Sequence, residues 1–355
     1  MTVDPAFWRG RRVLLTGNTG FKGAWLALWL TELGADVRGF SSGLVGERSL
    51  HVLARLDDLV PWTRADVRDP AVVATAVRTA RPEVVFHMAA QSLVRPSLSS
   101  PRETFETNVM GTVNVLEAVR SEPGARVVVN VTSDKCYENA ESGQPFSEDA
   151  PKGGSDPYSS SKGCAELVAE AYRRSFFAHD PDGARLGSVR AGNVIGGGDW
   201  AEDRLVPDMM RAALSGSPVE IRNPDAVRPW QHVLNPLSGY MALAQGMWDD
   251  EGLAGGWNFG PDPGDALTVC EVVERVIERW PRELSWSADE GAHPHEAGTL
   301  LLDSSKARQL LGWVPAWDLG AGLDATVEWY AAAAEKSDVR DLSVAQIEAF
   351  AAVRS

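Results

Sequence analysis

Runs of consecutive apolar residues alternate with amphipathic stretches along the first half of the chain. Uninterrupted apolar runs bounded by polar turns predict buried β-strands at 12–15, 37–41, 84–88, 127–132 and 186–194. Apolar residues at helical spacing predict α-helices at 22–33, 72–79, 101–120 and 158–177. Strands that are apolar on both faces and alternate with helices are typical of a parallel sheet covered on both sides. The pattern therefore predicts an α/β fold with a doubly wound parallel sheet, since crossovers between parallel strands are right-handed.

The alternation fades after residue 196, where loops rich in glycine and proline begin. Helical spacing recurs in this second part at 205–214, 237–248 and 269–280. We expect a smaller C-terminal α/β lobe here. A strand-like run at 256–259 is expected to return to the main sheet, so the segment near 235–260 belongs with the first domain.

The charge balance and the cysteines limit the class of protein. The chain has 355 residues, with 34 Lys and Arg against 49 Asp and Glu and a net charge of −15. Nucleic-acid binding needs a basic surface, so this balance argues against it. The three cysteines show neither a zinc spacing nor a disulfide framework, which suits a reducing cytoplasm. The first ten residues lack a signal-peptide core, and the run at 24–30 is too short to span a membrane. We expect a cytoplasmic enzyme or binding protein without a metal site.

A glycine-rich loop follows the first predicted strand and opens the first predicted helix. Gly17 permits a tight turn, Gly20 lets the backbone approach a pyrophosphate, and Gly23 permits close packing of helix on strand. The helix N-terminus offers N–H groups and a positive dipole end to phosphates. This context predicts a Rossmann-like dinucleotide site, and an ordinary βα turn is the alternative. The expected cofactor contacts in the loop are Gly17, Thr19, Gly20, Phe21, Lys22 and Gly23.

The end of the second strand does not decide between NAD and NADP. An acidic residue for the ribose hydroxyls is expected there, but the strand ends in Ser41 and Ser42. Asp66 and Val67, after a strand-like run at 62–65, are placed beside the adenine, with a helix cap as the alternative for Asp66. We expect NAD, with residues 1–194 as the dinucleotide-binding domain and 195–355 as a substrate-binding lobe.

Three polar side chains are candidates for proton transfer. Tyr158 and Lys162 are four residues apart, so they share a helix face. A nearby ammonium favours phenolate and is expected to lower the phenol pKa of Tyr158, which makes it a base. Ser133 follows the fourth strand, at the sheet edge where ligands bind, and its hydroxyl can hold the substrate oxygen. A turn or cap serine is the alternative for Ser133.

These motifs together resemble the extended short-chain dehydrogenase/reductase family across nearly the whole chain. The match includes the run at 87–90, with Ala89 and Ala90, and Asn108 in a helix between two strands. The resemblance implies a catalytic triad of Ser133, Tyr158 and Lys162, with Lys162 also on the nicotinamide ribose. It implies cofactor contacts at Ala89 and Ala90, a substrate-phosphate contact at Asn193, and a homodimer formed through a four-helix bundle. We interpret His87 as a satisfied core histidine.

A narrower resemblance rests on the segments 19–23, 132–137, 228–233 and 295–297. These are similar to the CDP-glucose branch of the nucleotide-sugar 4,6-dehydratases. That branch has Asp–Lys after the Ser or Thr, as in Asp134 and Lys135 here, where related branches have Asp–Glu. Asn235 departs from the pattern, since an acidic residue is expected there. The resemblance implies dehydration of CDP-D-glucose to CDP-4-keto-6-deoxy-D-glucose.

Loss of water requires an acid and a base that a simple dehydrogenase lacks. We assign Asp134 as the acid for the 6-hydroxyl and Lys135 as the C5 base or as an electrostatic partner of the enolate. A surface Asp–Lys pair is the alternative. Substrate contacts are expected from Arg95, Asn193, Arg204, Arg228 and His295, and the alternative for each arginine is a solvated surface charge.

Two other functions compete with this interpretation. A nucleotide-sugar 4-epimerase, or a dehydratase for another base, shares Ser133, Tyr158 and Lys162, and the epimerase needs no acid and base at 134–135. A non-catalytic dinucleotide sensor would keep the glycine loop and lose the Tyr–Lys pair. Because Tyr158 and Lys162 are both present, the sensor is disfavoured.

Overall fold

The computed structural model describes residues 2–122, 124–180, 182–289, 291 and 298–353. The strands are β1 (Arg12–Thr16), β2 (Asp36–Ser41), β3 (Trp62–Arg64), β4 (Val84–His87), β5 (Val127–Val131), β6 (Arg185–Arg190), β7 (Val194–Ile195), β8 (Val219–Ile221), β9 (Val227–Pro229), β10 (Gln231–His232), β11 (Gly255–Asn258), β12 (Ala266–Thr268) and β13 (Trp286–Ala288).

The α-helices surround these strands or cover the lobe. They are α1 (Pro5–Trp8), α2 (Phe21–Glu32), α3 (Leu50–Leu53), α4 (Pro70–Ala80), α5 (Val94–Ser99), α6 (Pro101–Phe105), α7 (Gly111–Ser121), α8 (Pro157–Ser175), α9 (Leu205–Ser215), α10 (Leu234–Asp249), α11 (Val269–Arg279), α12 (Ser305–Leu311), α13 (Leu319–Ala334) and α14 (Val339–Ala352). Short 3-10 turns lie at Leu56–Asp58, Asp134–Cys136, Phe177–His179, Glu251–Leu253 and Pro263–Asp265. No helix of the described residues is long and apolar enough to cross a membrane.

Seven strands form one parallel sheet in the order β3-β2-β1-β4-β5-β6-β11. The predicted doubly wound α/β fold is confirmed. β4 and β5 are buried along their whole length, which explains why their sequences are continuously apolar. The strand order reverses between β1 and β4, so a crevice opens beyond their carboxyl ends.

The sheet edge at this crevice is braced by a buried histidine. Thr16 and His87 are in register on β1 and β4, and the Thr16 Oγ1 lies 2.8 Å from the His87 Nδ1. The His87 Nε2 lies 3.3 Å from the Thr112 Oγ1. Burial lowers the pKa of His87 to about 3, so the ring stays neutral. His87 is therefore the satisfied core histidine that its apolar surroundings indicated.

The stretch predicted as one helix over 101–120 is interrupted. A π turn at Glu106–Met110 separates α6 from α7 and carries Asn108. The Asn108 amide donates to the Gln91 carbonyl and the Ser161 Oγ, and its oxygen accepts from the Gln91 N–H. The wider turn places this side chain between the loop after β4 and α8, which regular helical spacing does not reveal.

Large aromatic side chains fill the core between the sheet and the C-terminal helices. α10 is buried on all sides over most of its length, as expected for a helix in the centre of a protein. On α2, Trp29 meets the Phe350 ring of α14 at 5.6 Å. α14 thus packs on α2, and α13 packs on α14 in turn. The helical spacing of the sequence did not indicate either helix.

Part of the chain after β6 forms a smaller lobe, while α10 packs on β5 and β6 of the main sheet. The lobe contains three two-stranded pairs, β7 with β10, β8 with β13, and β9 with β12. β11 leaves this lobe and pairs with β6 at the edge of the main sheet. The division into domains 1–194 and 195–355 stays a prediction.

Candidate active site

A cavity of about 710 Å³ lies between the carboxyl ends of the sheet strands and the lobe. It is lined by the loops that follow β1, β4 and β5, by α8, and by the start of α9. The predicted site residues that line it are Gly17, Thr19, Gly20, Phe21, Lys22, Gly23, Asp66, Val67, Ala89, Ala90, Arg95, Ser133, Asp134, Lys135, Tyr158, Lys162, Asn193, Arg204 and Arg228. His295 lies outside the described residues. The fold therefore brings residues from eight separate segments to one cavity, and their individual roles stay predictions.

The glycine loop is shaped for a phosphate group. Gly17 has a φ of 75°, which favours glycine. A Cβ at Gly23 would lie 2.1 Å from the Gly17 carbonyl oxygen, so only glycine lets α2 start this close to the loop. Gly20 caps α2 without a side-chain hydrogen bond, so the first N–H groups of the helix are left for a ligand. This arrangement fits a dinucleotide pyrophosphate.

The far end of the loop is joined to β2 by hydroxyl groups. The Ser41 Oγ accepts from the Thr19 N–H at 3.3 Å and donates to the Asn18 Oδ1 at 3.0 Å. The Thr19 Oγ1 donates to the Gly43 carbonyl at 2.7 Å. The end of β2 thus carries hydroxyl groups that fasten the glycine loop, and the expected acidic residue is absent from Ser41 and Ser42.

The Asp66 carboxylate binds Arg68 in its own loop and does not cap the following helix, α4. It accepts from the Arg68 Nε at 2.9 Å, and the hydrogen bond from Arg68 keeps the pKa of Asp66 below its usual value. Asp69 caps α4 through the Ala71 and Val72 N–H groups. The helix-cap alternative for Asp66 is therefore wrong, and its carboxylate stays at the cavity wall.

Ser133, Tyr158 and Lys162 meet where β5 faces α8. Asp156 caps α8 by accepting from the Ser159 N–H at 3.0 Å, and Tyr158 and Lys162 follow one turn apart. The Lys162 Nζ donates to the Val131 carbonyl at 3.3 Å, at the end of β5. Ser133, two residues on, caps the turn Asp134–Cys136 and lies in the same corner of the cavity.

The phenol of Tyr158 is less acidic than the sequence argument expects. Burial raises its pKa to about 12, although a hydrogen bond with Ser133 and the positive charge of Arg204 lower it. The expected lowering below 10 by Lys162 is wrong, because burial outweighs the nearby charges. Burial also lowers the pKa of Lys162 to about 8, and Glu166 opposes that shift.

Asp134 has the environment of a proton donor. Its side chain is 5% exposed, and its Oδ1 accepts from the Ser133 Oγ at 2.9 Å. Burial raises the pKa of Asp134, and Lys135 and the Ser133 hydrogen bond oppose the shift. Since Asp134 is buried and lines the cavity beside Lys135, the surface-pair alternative is wrong.

Three arginines supply positive charge at the lobe side of the cavity. The Arg204 Nη1 donates to the Asp199 Oδ2 at 2.8 Å. Arg228 is 8% exposed and donates to the Val227 carbonyl at 2.8 Å, so a solvated surface charge is the wrong description of it. Arg95 is paired with Asp203 at 3.2 Å. All three arginines line the cavity, and their contacts with a substrate stay predictions.

Sequence reasoning missed two carboxylates that support this site. Asp199 is buried and holds Arg204, and it directly follows the glycines 196–198, which was an available signal. Glu166 lies one helical turn after Lys162 and pairs with Arg190 of β6 at 2.6 Å. Its place on the face of Tyr158 and Lys162 was visible in the helical spacing.

Comparisons with known proteins agree with this geometry. The family model described as GDP-mannose 4,6 dehydratase matches residues 14–326. The CDP-glucose 4,6-dehydratase of Salmonella typhimurium is 51% identical over 334 residues, which cover 93% of each chain. The dTDP-glucose 4,6-dehydratase of Mycolicibacterium smegmatis is 30% identical over 90% of this chain and 93% of that one.

A solved structure shares the architecture. The dTDP-glucose 4,6-dehydratase from Streptomyces venezuelae, with NAD and TYD bound, superposes with a TM-score of 0.76 and 27% identity. The match covers 90% of this chain and 97% of the other. The resemblance drawn from the motifs is confirmed.

Proposed function

Since the chain belongs to the GDP-mannose 4,6 dehydratase family, we propose that it converts CDP-D-glucose to CDP-4-keto-6-deoxy-D-glucose and water. Three observations support this lyase activity: the 51% identity with the Salmonella enzyme, the Ser133–Tyr158–Lys162 corner, and the buried acid Asp134 beside Lys135. The position of Asp134 and Lys135 carries the proposal, because an epimerase would not need a proton donor there.

NAD fits the cofactor end of the cavity and is the cofactor that we propose. When bound, NAD would supply hydride acceptance at the sugar C4 and hydride return at C6, so that the reaction has no net oxidation. The residues that would hold it line one continuous stretch of the cavity: Gly17, Thr19, Gly20, Phe21, Lys22, Gly23, Asp66, Val67, Ala89, Ala90, Tyr158 and Lys162. The uncapped N-terminus of α2 supports a pyrophosphate contact.

Tyr158 removes the proton of the sugar 4-hydroxyl in the first step. Ser133 donates a hydrogen bond to the same oxygen and orients it towards the phenol. A phenol with a pKa of about 12 is a weak acid, and this value already includes the charge of Arg204, so Tyr158 needs further positive charge to act as phenolate near neutral pH. Lys162, fixed by its bond to the Val131 carbonyl, provides such a charge once the ribose and sugar close the cavity.

Asp134 and Lys135 serve the elimination of water. The 4-ketone acidifies the C5 proton, and loss of that proton pushes electrons towards C6. Asp134 gives its proton to the departing 6-hydroxyl, which leaves as water. Lys135 is the C5 base or the positive charge that stabilises the enolate.

The substrate diphosphate lies against the lobe. Arg95, Asn193, Arg204 and Arg228 line this part of the cavity and provide its hydrogen-bond donors and positive charge. His295 is a further predicted contact of the substrate.

We also propose a homodimer in the cytoplasm, in which the helices over 101–120 and α8 form a four-helix bundle with those of a second copy. Large apolar side chains are exposed on these helices, including Phe105, Met110 and Leu167. An uncovered apolar patch of this kind is typical of an interface between proteins.

Incubation with NAD and CDP-glucose in deuterated water, followed by NMR of the product, tests the function. We expect a 4-keto-6-deoxy product that carries deuterium at C5. UDP-, dTDP- and GDP-sugars are run in parallel, and a product from one of them alone would move the specificity to another base. Inversion at C4 without loss of water would make the chain an epimerase, and cofactor binding without turnover of any sugar would make it a sensor.

A further inference from the structure

An ionic bridge crosses the cavity from the main sheet to the lobe. Asp203 lies in the loop between β7 and α9, and its Oδ1 lies 3.2 Å from the Arg95 Nη1 and 2.9 Å from the Arg222 Nη1. Arg95 belongs to α5, which follows β4 of the main sheet, and Arg222 follows β8 of the lobe. All three residues line the cavity. One carboxylate therefore links its two walls, and we call these three residues the Asp203 bridge.

A second contact crosses the cavity in the same direction. Arg204, the residue after Asp203, donates from its Nη2 to the Ser92 Oγ at 3.3 Å, while its Nη1 is held by Asp199. Ser92 lies two residues before α5, so consecutive residues of one lobe loop reach the same segment of the main sheet. The loop is anchored on its other side by the Tyr330 hydroxyl of α13, which donates to the Asp199 carbonyl oxygen. The bridge thus rises from a loop whose position is fixed.

The bridge lies at the rim of the cavity, and the reacting groups lie at its floor. The side chains of Arg95, Asp203 and Arg222 are 41%, 32% and 22% exposed. Ser133 and Asp134, in contrast, are buried. The bridge therefore stands on the solvent side of the groups that act on the sugar.

The backbone of Asp203 supports a specific role for its side chain. Its φ of 62° lies in the left-handed region, which few residues other than glycine, asparagine and aspartate adopt. Residues held in such conformations cluster at ligand clamps and switch regions. Since the Asp203 carboxylate is paired with two arginines, the unusual backbone coincides with the contact that joins the cavity walls.

The proposed reaction needs a closed cavity between its second and third steps. Loss of water leaves a 4-keto sugar with a double bond between C5 and C6, and this sugar must wait for hydride at C6. Water that entered would add to C6 and reverse the elimination. Departure of the sugar would leave the cofactor in its reduced form. Enzymes meet such needs by contacts that close over the substrate and exclude water.

We propose that Asp203 is a positioning residue that holds Arg95 across the mouth of the cavity and so retains the sugar nucleotide until C6 is reduced. The role rests on the proposed dehydratase function. Arg222 fixes the carboxylate from the lobe side, and the Arg95–Asp203 pair breaks when substrate enters and when product leaves. Because these ion pairs are partly exposed, each is weak enough to open in every turnover.

The variants Asp203→Asn and Asp203→Gly test the bridge. Asparagine and glycine both adopt a left-handed backbone, so the loop keeps its shape while the charge is lost. We measure CDP dissociation from the NAD-loaded chain by stopped flow, hydrogen exchange of residues 199–204 with CDP bound, and the released sugars by mass spectrometry.

Loss of the bridge should weaken retention and leave the chemistry at C4 unchanged. We expect CDP to dissociate about 2- to 10-fold faster and the KM for CDP-glucose to rise by a similar factor, as two partly exposed ion pairs allow. Residues 199–204 should exchange faster, and C4 oxidation in a single turnover should keep its rate. A fraction of turnovers should release the sugar with the C5–C6 double bond and leave reduced cofactor on the protein.

Two further variants separate the bridge from general effects. Asp262→Asn is the matched control, because Asp262 pairs with Arg308 at 2.6 Å and neither is among the described residues that line the cavity. It should leave every readout unchanged. Arg222→Gln should also speed CDP dissociation. Combined with Asp203→Asn it should add nothing, since the two residues act through one contact.

Two outcomes would overturn the proposal. The first is that both Asp203 variants release CDP at the rate of the unaltered chain and release no unsaturated sugar, in which case the bridge retains nothing. The second is that the effects of Asp203→Asn and Arg222→Gln add in the double variant, in which case Arg222 contacts the nucleotide itself. Failure of the proposed function gives a different result, because the unaltered chain would then dehydrate none of the nucleotide sugars.

Discussion

Replacement of Glu166 by glutamine tests how the buried ion pair supports the catalytic helix. Glu166 follows Tyr158 and Lys162 on one face of α8. Its Oε2 lies 2.6 Å from the Arg190 Nη2, its Oε1 lies 2.8 Å from the Arg190 Nε, and the two side chains are 5% and 3% exposed. Thr132 also donates to this carboxylate. The pair therefore ties α8 to β5 and β6 directly beneath the site.

The expected loss of stability follows from the burial of Glu166 and Arg190. Removal of one partner from a buried ion pair costs about 3–5 kcal/mol, because the other charge stays desolvated. Glutamine keeps one acceptor for Arg190, so we expect Glu166→Gln to lower the free energy of unfolding by about 3 kcal/mol. With an unfolding entropy of about 2.1 cal/mol/K per residue, the melting temperature falls by roughly 4 °C for this chain.

Thermal and denaturant unfolding followed by circular dichroism measure this loss. Glu170→Gln is the matched control, one turn later on α8, since Glu170 is half-exposed and pairs with Arg173 and Arg174 on the surface. We expect the control to change the stability by less than about 1 kcal/mol. Equal losses in the two variants would refute the reasoning that burial decides the cost.

Glu166→Gln should also change the pH dependence of C4 oxidation. Glu166 raises the pKa of Lys162, which burial lowers to about 8. Without the carboxylate, the pKa of Lys162 falls further, and its ammonium is lost at a lower pH. The basic limb of C4 oxidation should therefore move to lower pH in Glu166→Gln and stay in place in Glu170→Gln.

Three further predictions concern separate parts of the reaction. Tyr158→Phe should slow C4 oxidation by about 10²–10⁴-fold while NAD affinity is kept, and near-normal turnover would contradict its role as base. Asp134→Asn should permit C4 oxidation, seen as reduced cofactor in a single turnover, and should slow the release of water. Loss of the first oxidation as well would assign Asp134 to substrate binding instead. Gly23→Ala should abolish NAD binding measured by calorimetry, because the added Cβ would lie 2.1 Å from the Gly17 carbonyl oxygen and force the loop away from α2. An unchanged affinity would show that the loop does not hold the pyrophosphate.

Short-range patterns in the sequence were sufficient to predict the main sheet and the chemical groups of the site. The continuous apolar runs of β4 and β5, the loop from Gly17 to Gly23, and the pair Tyr158 and Lys162 all depend on short-range spacing. A buried strand can be recognised from the apolar residues within it, and a glycine loop can be recognised from the strand and helix on either side of it. The parallel sheet and the motifs at its carboxyl edge therefore followed from the sequence.

Some elements could not be predicted from the sequence, because they are stabilised by residues far away along the chain. The π turn around Asn108 is stabilised by Gln91 and Ser161, which lie on other segments. α14 packs on α2 through Phe350, whose partner Trp29 lies more than three hundred residues away in the sequence. Helical periodicity measures neither kind of contact.

The sequence by itself determined which groups are available for chemistry, and the tertiary structure decided their protonation. The sequence argument expects Lys162 to acidify Tyr158, yet burial raises the pKa of the phenol to about 12. It places Lys22 in a cofactor loop, and only the fold brings Arg204, Lys162 and Asp134 around its amine. The physical reason is that a pKa depends on desolvation and on charges from distant segments, and both are set when the chain folds.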